Sequence, residues 1–115
     1  MNYKYNQDIE SKLQEFEKYL KKKRYALPTI RQTRNYAGVY LAWLEKKGEQ
    51  VDQVGYNEFS IFVFQLKQDE SLNLTRRIIL AVRHYYESLE IDKNPASGIH
   101  IRGGVRSILN DIVDF

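Results

Sequence analysis

The amino-acid sequence predicts a single all-α domain, a small bundle of four to five helices. Three observations predict this fold class. Apolar residues recur at helical spacing in four successive stretches. Pro28, Gly48 and the pair Asn94-Pro95 separate these stretches, as residues that end helices do. A chain of 115 residues, 43% of them hydrophobic, can bury one core and hardly more.

Residues 8–24 predict the first helix. Acidic residues come early in it and a basic run, Lys21 to Arg24, comes late, as the helix dipole favours. Asp8 is the predicted N-cap, and the basic run is interpreted as solvating the last turn. The predicted core positions are Ile9, Leu13, Phe16 and Leu20.

Pro28 suits the start of a second helix, which is predicted to run from Thr29 to Gly48. Gly48 is a typical residue just beyond a helix C-terminus. The residues predicted to face inward are Ile30, Thr33, Ala37, Tyr40, Leu41 and Leu44.

Two further segments complete the predicted bundle. Residues 56–68 predict a third helix with Asn57 as its cap, although their β-branched and aromatic residues would also suit a strand. Residues 74–91 predict a fourth helix, which ends before Asn94-Pro95. The predicted core residues are Phe59, Phe62, Val63 and Leu66 in the third helix, and Thr75, Ile78, Ile79, Val82, Tyr86 and Leu89 in the fourth.

Composition narrows the classes of function. The net charge of +3 permits nucleic-acid binding without requiring it. The absence of cysteine excludes disulfides and thiolate metal sites. Neither a signal peptide nor a run of roughly 20 apolar residues is present, so we expect a cytoplasmic protein without a membrane partner.

The outward faces of two helices carry arginines where mixed charges are usual. On the second helix the outward residues are predicted to be Arg31, Asn35, Gly38, Ala42 and Lys46, with Arg34 on the flank. On the fourth they are Arg77, Leu80 and His84, with Arg76 and Arg83 at the edge. Arginine and asparagine suit bidentate contacts to phosphates and base edges, and small residues allow close approach. Arginine is also a good helix former, so exposed arginines occur without a ligand and the pattern leaves both readings open.

No arrangement of residues typical of catalysis is visible. His84 and His100 lie far apart with no matching ligand set, and no nucleophile elbow, P-loop or pair of carboxylates stands out. Trp43 and Tyr85-Tyr86 have the spacing of packing aromatics. We therefore expect no catalytic residue, metal, cofactor or small-molecule substrate.

The order of these parts resembles the N-terminal core-binding, or SAM-like, domain of tyrosine recombinases and phage-type integrases. The resemblance covers Leu27 to Ala96 and includes "AVRHYYESLEIDKNPA" with its Asn94-Pro95. In the second helix it rests on Thr29, Ile30, Arg31, Tyr40, Leu41, Trp43 and Leu44. Two positions depart from the family pattern, Thr33, where an aromatic residue is usual, and Leu74, where threonine is frequent.

The resemblance implies a bundle of two helical hairpins that clamps double-stranded DNA together with a C-terminal catalytic domain. Residues 1–97 would form the core-binding domain, and residues 98–115 the interdomain linker and the start of a truncated catalytic domain. The final apolar spacing of residues 108–115 agrees, since it lacks a partner surface in this chain. The full-length protein would act as a tetramer on DNA, and the fragment would not itself be an enzyme.

The predicted function is therefore DNA binding. We expect Arg31, Asn35 and Arg77 to contact base edges and Thr29, Arg34, Arg76 and Arg83 to hold phosphates. The alternative is a helical protein-interaction module that uses an outward apolar patch of Val39, Leu80 and Tyr36. A third possibility, a stand-alone helix-turn-helix regulator, is disfavoured by the unfinished apolar face of residues 108–115.

Overall fold

A computed structural model describes residues 6–91 and 94–97 and contains four α-helices in this part of the chain. They are α1 (Gln7–Lys22), α2 (Leu27–Lys47), α3 (Tyr56–Asp69) and α4 (Leu72–Ser88), with a 3₁₀ turn at Val51–Gln53. The predicted small all-α bundle is confirmed, and the third segment is a helix rather than a strand. The predicted linker, residues 98–115 with their terminal apolar spacing, lies outside the described residues.

The helices form two consecutive hairpins that meet at the contact between α2 and α4. Helix α1 packs on α2, and α3 packs on α4. Within residues 6–91 no helix has the length and apolar character needed to cross a membrane.

The helix ends differ from the predicted ones by one to three residues. Asn6, not Asp8, caps α1, since its side-chain oxygen accepts a hydrogen bond from the Ile9 N–H at 2.9 Å. Asp8 lies in the first turn instead and pairs with Lys12 at 2.9 Å. At α3 the cap is Gly55 rather than Asn57, and Glu58 accepts a hydrogen bond from the Gly55 N–H. Short polar residues near a helix start compete as caps, and only the course of the preceding chain selects one.

The core contains nearly all of the predicted apolar positions. Two predicted core residues differ. Thr33 is only half-buried, and Leu89 is 38% exposed because α4 ends at Ser88, so that Leu89 no longer follows the helical face. Three apolar residues not predicted as core, Ala81, Val54 and Ala96, are at most 2% exposed.

Gly38 was predicted to face outward and is buried. It lies on the side of α2 that contacts α1, four residues after Arg34, which pairs with Glu10 of α1. On the same side, Glu45 accepts a hydrogen bond from Asn6. A residue without a side chain at this position therefore accommodates α1 and does not form part of an open surface.

A buried chain of hydroxyl groups connects α2, α4 and the 3₁₀ turn. The Tyr86 hydroxyl donates to the Val51 carbonyl at 2.9 Å and lies 2.6 Å from the Tyr40 hydroxyl. Since Tyr86 has one proton to donate, Tyr40 is the donor between the two rings. Burial raises the pKa of Tyr86 to about 12 and that of Tyr40 still further, so both hydroxyls stay protonated at neutral pH.

Candidate nucleic-acid interface

A cleft between α2 and α4 brings together two of the residues predicted to contact DNA. Thr29, from the first turn of α2, and Arg77, from α4, both line this cleft of about 240 Å³. None of the described residues that line it is acidic. The other lining residues are Leu20, Tyr25, Gln32, Thr33, Tyr36, Leu80, Ala81 and His84.

The N-terminal half of α2 presents a polar face beside this cleft. Arg31, Asn35, Gln32 and Thr29 are all exposed. With about 100° of rotation per residue, these four side chains follow one another, in that order, over about 160° of the helix circumference. The two amides therefore occupy the middle of the face, with Arg31 at one side and the cleft at the other. This confirms the outward position predicted for Arg31 and Asn35.

The same face of α2 becomes apolar in its C-terminal half because α3 lies against it. Val39, Ala42, Trp43 and Lys46 line a groove of about 260 Å³ against α3. The Trp43 indole N–H donates a hydrogen bond to the side-chain oxygen of Gln65 at 2.7 Å. Ala42 and Lys46, predicted to face a partner, thus border another helix of this chain. On this face of α2, the polar surface open to solvent consists of the first three turns, together with the exposed Lys46 at the end of the groove.

The first turns of α2 and α4 differ from those of the other two helices. Neither contains an acidic residue, whereas α1 starts with Asp8 and Glu10 and α3 with Glu58. No side chain caps α2, whose N-cap position is Ala26. A helix start without a side-chain cap has backbone N–H groups and a positive dipole end available to an anion.

The charge of Arg34 is used inside the protein. Its guanidinium lies 2.8 Å from Glu10 and 3.6 Å from Glu17, both on α1. Arg34 was predicted to hold a phosphate, but it connects the first two helices. Three positions away on α2, Arg31 takes part in none of the ion pairs of residues 6–91.

Arg83 is also engaged with the fold, and Arg76 is partly buried. The Arg83 guanidinium donates to the Ala96 carbonyl at 3.4 Å, and the Asn94 amide donates to the Arg83 carbonyl at 3.2 Å. These bonds hold the segment after α4 against that helix. Arg76 is half-buried and its Nε is enclosed. Of the arginines predicted on α4, Arg77 is the exposed one.

The turn after α1 adds two residues that the sequence interpretation missed. Arg24 has a φ of 62°, in the left-handed region that favours glycine. Its N–H donates to the Lys21 carbonyl and the Tyr25 N–H to the Leu20 carbonyl, which together form a Schellman motif. Tyr25 and Leu20 consequently meet at the wall of the cleft, and the exposed Arg24 lies next to Tyr25 in the chain. A turn of this kind has no periodic pattern of apolar residues. The sequence alone therefore predicts only that the basic run, Lys21 to Arg24, solvates the last turn of α1.

The position of other side chains in this region could be predicted from helical spacing. Gln32, Thr33 and Tyr36 follow Thr29 at intervals of three, four and seven residues, which is the spacing of one helix side. His84 lies with its ring centroid 6.0 Å from that of Tyr25 and its Nδ1 3.8 Å from Glu87. Within residues 6–91 and 94–97 no cluster of three metal-ligating side chains occurs. The aromatic residues predicted to pack do so, since Tyr85 and Tyr86 are buried.

No protein-family model, curated protein or solved structure matches this chain.

Proposed function

We propose that the chain binds duplex DNA, as the core-binding domain of a tyrosine recombinase, through the exposed N-terminal half of α2. The observation that carries this proposal is the arrangement on that face. Gln32 and Asn35 lie at its centre, Arg31 at one side, and the cleft with Arg77 at the other. This distribution of amides and cations matches what a helix in the major groove needs.

The proposed contacts follow from the chemistry of each side chain. Asn35 and Gln32 are suited to bidentate hydrogen bonds with adenine, whose major-groove edge presents one donor and one acceptor. Arg31 would hold the phosphates of one strand and Arg77, together with Arg24, those of the other. Thr29 and the free N–H groups of the first turn of α2 would bind phosphates of this second strand as well. Arg34 and Arg83 are assigned to the fold instead because both are paired within it, and Arg76 is left out of the contact set because it is half-buried.

In this proposal the chain contributes binding and no chemistry. DNA strand exchange would be carried out by a separate catalytic domain that closes on the other side of the duplex, within a tetramer assembled on DNA. The chain would then need no metal or cofactor, and its location would be the cytoplasm, where bacterial and phage DNA is found.

The alternative, a protein-interaction module, is not favoured by the surface first proposed for it. Val39 and Tyr36 are partly buried against the core, and of that predicted patch only Leu80 is largely exposed. Among the described residues, a more exposed apolar pair, Ile61 and Phe64, lies on the outer side of α3, away from the proposed DNA-binding face.

Fluorescence anisotropy with a labelled duplex tests the proposal. If Arg24, Arg31 and Arg77 neutralise about three phosphates, the logarithm of the binding constant should fall with the logarithm of salt concentration at a slope of about −2.7. Arg31→Gln and Arg77→Gln should each reduce the steepness of that slope by about 0.9. The matched control is Lys18→Gln, which removes the same charge from an exposed position on α1 and should leave the slope within about 0.2 of wild type.

A second comparison separates base contacts from phosphate contacts. Gln32→Ala with Asn35→Ala should lower the preference among duplex sequences while the salt slope stays unchanged, because amides release no counterions. Equal losses of affinity in Lys18→Gln, Arg31→Gln and Arg77→Gln would instead indicate a diffuse response to net charge. That result would remove α2 and α4 as the interface.

A further inference from the structure

His84 lies in the cleft between α2 and α4, beside residues that are proposed to hold phosphates. It lines the cleft together with Arg77 of its own helix and Thr29 of α2. The His84 side chain is 26% exposed, so an anion in the cleft can reach it. Imidazole is the side chain that ordinarily gains or loses its charge between about pH 5 and pH 8. The charge of the cleft therefore depends on pH through this residue.

The charged and titratable groups around His84 come from three parts of the chain. Tyr25 follows α1, and its ring centroid lies 6.0 Å from that of His84. Tyr36 lines the cleft from α2, and Arg77 lines it from α4. Also on α4, a carboxylate oxygen of Glu87 lies 3.8 Å from Nδ1 of His84. Glu87 is thus the group that bears most directly on the charge of the imidazole.

The two ring nitrogens of His84 serve different sides of α4. At about 100° of rotation per residue, Glu87 lies about 60° from His84 around the helix, away from the cleft. Arg77 and Ala81, which line the cleft, lie about 20° and 60° in the opposite direction. Since Nδ1 is next to Glu87, Nε2 is the nitrogen left for a ligand in the cleft.

The protonation state of His84 decides how Nε2 meets an anion. In the neutral ring the carboxylate of Glu87 favours a proton on Nδ1, which leaves Nε2 with a lone pair that repels a phosphate oxygen. In the protonated ring both nitrogens carry a proton, so Nε2 becomes a donor while Glu87 still accepts on the other side. A hydrogen bond from a charged donor to a phosphate is short and strong.

We propose that His84 is a further phosphate contact of the DNA-binding face and that it acts in its protonated form, which Glu87 stabilises. The inference rests on the proposed function, because the phosphate is one of the DNA strand assigned to Arg77. Each chain that binds DNA takes up a proton from solvent at His84, so the affinity for DNA increases as the pH falls. Glu87 is a positioning residue, which contacts the imidazole and not the DNA.

Fluorescence anisotropy with the labelled duplex at two pH values tests the role of His84. The wild-type chain should bind about tenfold more tightly at about pH 6 than at about pH 8, and its salt slope should become steeper by about 0.9. His84→Gln cannot take up the proton, so its affinity should be the same at both pH values, with its helices retained by circular dichroism. His100→Gln, which removes the other histidine of the chain, should keep the full response to pH.

Glu87→Gln separates a role through His84 from a plain effect of charge. Without the carboxylate the charged imidazole is less favourable, so the midpoint of affinity against pH should move to lower pH. An acidic residue that merely repels DNA would, on neutralisation, raise the affinity by the same factor at every pH. That result would overturn the role of Glu87.

Nuclear magnetic resonance of the imidazole nitrogens tests the contact atom without DNA. In the free protein at about pH 8, the ring of His84 should carry its proton on Nδ1. A neutral ring with its proton on Nε2 would overturn the assignment of Nε2 as the nitrogen that gains a proton for the phosphate.

Failure of this inference can be distinguished from failure of the proposed function. Equal affinity of the wild-type chain at both pH values, or an undiminished pH response in His84→Gln, overturns the role of His84 and leaves the contacts of Arg31 and Arg77 to their own test. Absence of duplex binding at both pH values overturns the proposed function, and the His84 contact with it.

Discussion

Replacing Arg24 with glycine should stabilise the fold and weaken DNA binding. Arg24 has a φ of 62°, a conformation that costs an L-residue about 1–2 kcal/mol more than it costs glycine. Glycine also makes the unfolded chain more flexible, which takes back about 0.5–1 kcal/mol. The net expectation for Arg24→Gly is a gain of about 0.5–1 kcal/mol, or roughly 3–5 °C in Tm for a domain of this size.

The chain provides matched positions for this comparison. Glu90 has a φ of 55° at the end of α4, and its N–H donates to the Glu87 carbonyl in the same way as the N–H of Arg24 does to Lys21. Glu90→Gly should therefore give a similar stability gain with no loss of DNA affinity. Gly48, with a φ of 71°, ends α2 in the same geometry. No atom lies within 4 Å of a Cβ built on Gly48, so Gly48→Ala should cost about 1 kcal/mol through backbone strain alone.

Urea unfolding followed by circular dichroism measures the stability half of this prediction, and anisotropy against salt measures the binding half. Arg24→Gly should be more stable than wild type, and its salt slope should be less steep by about 0.9. A loss of stability in Arg24→Gly beside a gain in Glu90→Gly would refute the strain argument. A gain in stability with unchanged salt dependence would remove Arg24 from the interface while leaving the rest of the proposal to its own test.

Three further predictions concern the fold that positions the interface. Tyr86→Phe should lower the free energy of unfolding, measured in urea, by about 2–3 kcal/mol, and Tyr40→Phe should lower it by about 1 kcal/mol. The difference arises because only the first change leaves both the Val51 carbonyl and the Tyr40 hydroxyl without a partner. Equal losses would contradict the assignment of Tyr40 as the donor to Tyr86. Burial raises the pKa of Tyr85 and Tyr86 to about 12, against about 10 in the unfolded chain, so the folded state keeps protons that the unfolded state has released. The free energy of unfolding should consequently fall by about 1.4 kcal/mol per pH unit for each of these tyrosines between pH 10 and 12, and a flat profile of the urea midpoint over that range would be inconsistent with their burial. Arg34→Gln should lower the free energy of unfolding by about 1 kcal/mol at low salt and by less in 1 M salt, because it removes the partly exposed cation that pairs with two carboxylates of α1. A loss of stability that does not depend on salt would show that packing, not charge, is lost.

Local periodicity was sufficient to predict the helices and most of the core. Buried residues such as Leu13, Tyr40 and Phe62 each have another buried apolar residue three or four positions away in the same helix. This spacing indicates which side of a helix is buried before the helix it packs on is known. The helix ends were less accurate, because Asn6 and Asp8 are both acceptable caps. The exposed position of Arg31 and Asn35 also follows from this spacing alone.

Which of the arginines are available to a partner depended on tertiary structure. Arg31 and Arg34 are chemically identical and three residues apart, yet Arg34 is paired because α1 crosses α2 at its position and brings Glu10 and Glu17 within reach. Arg83 is engaged because the chain returns past α4 and places the Ala96 carbonyl next to it. Neither carboxylate nor carbonyl is a neighbour in the sequence, so no local pattern could have identified these contacts.

The amino-acid sequence by itself determined four helices, their buried sides and a polar, acid-free start to α2, since each depends on residues within a few turns of one another. Tertiary structure alone decided that α3 covers the C-terminal half of α2 and leaves the N-terminal half open, that Arg77 joins Thr29 in one cleft, and that Ile61 and Phe64 remain outside. The physical reason is that exposure and charge pairing are properties of the space between helices, which depends on how the helices pack and not on the spacing within any one of them.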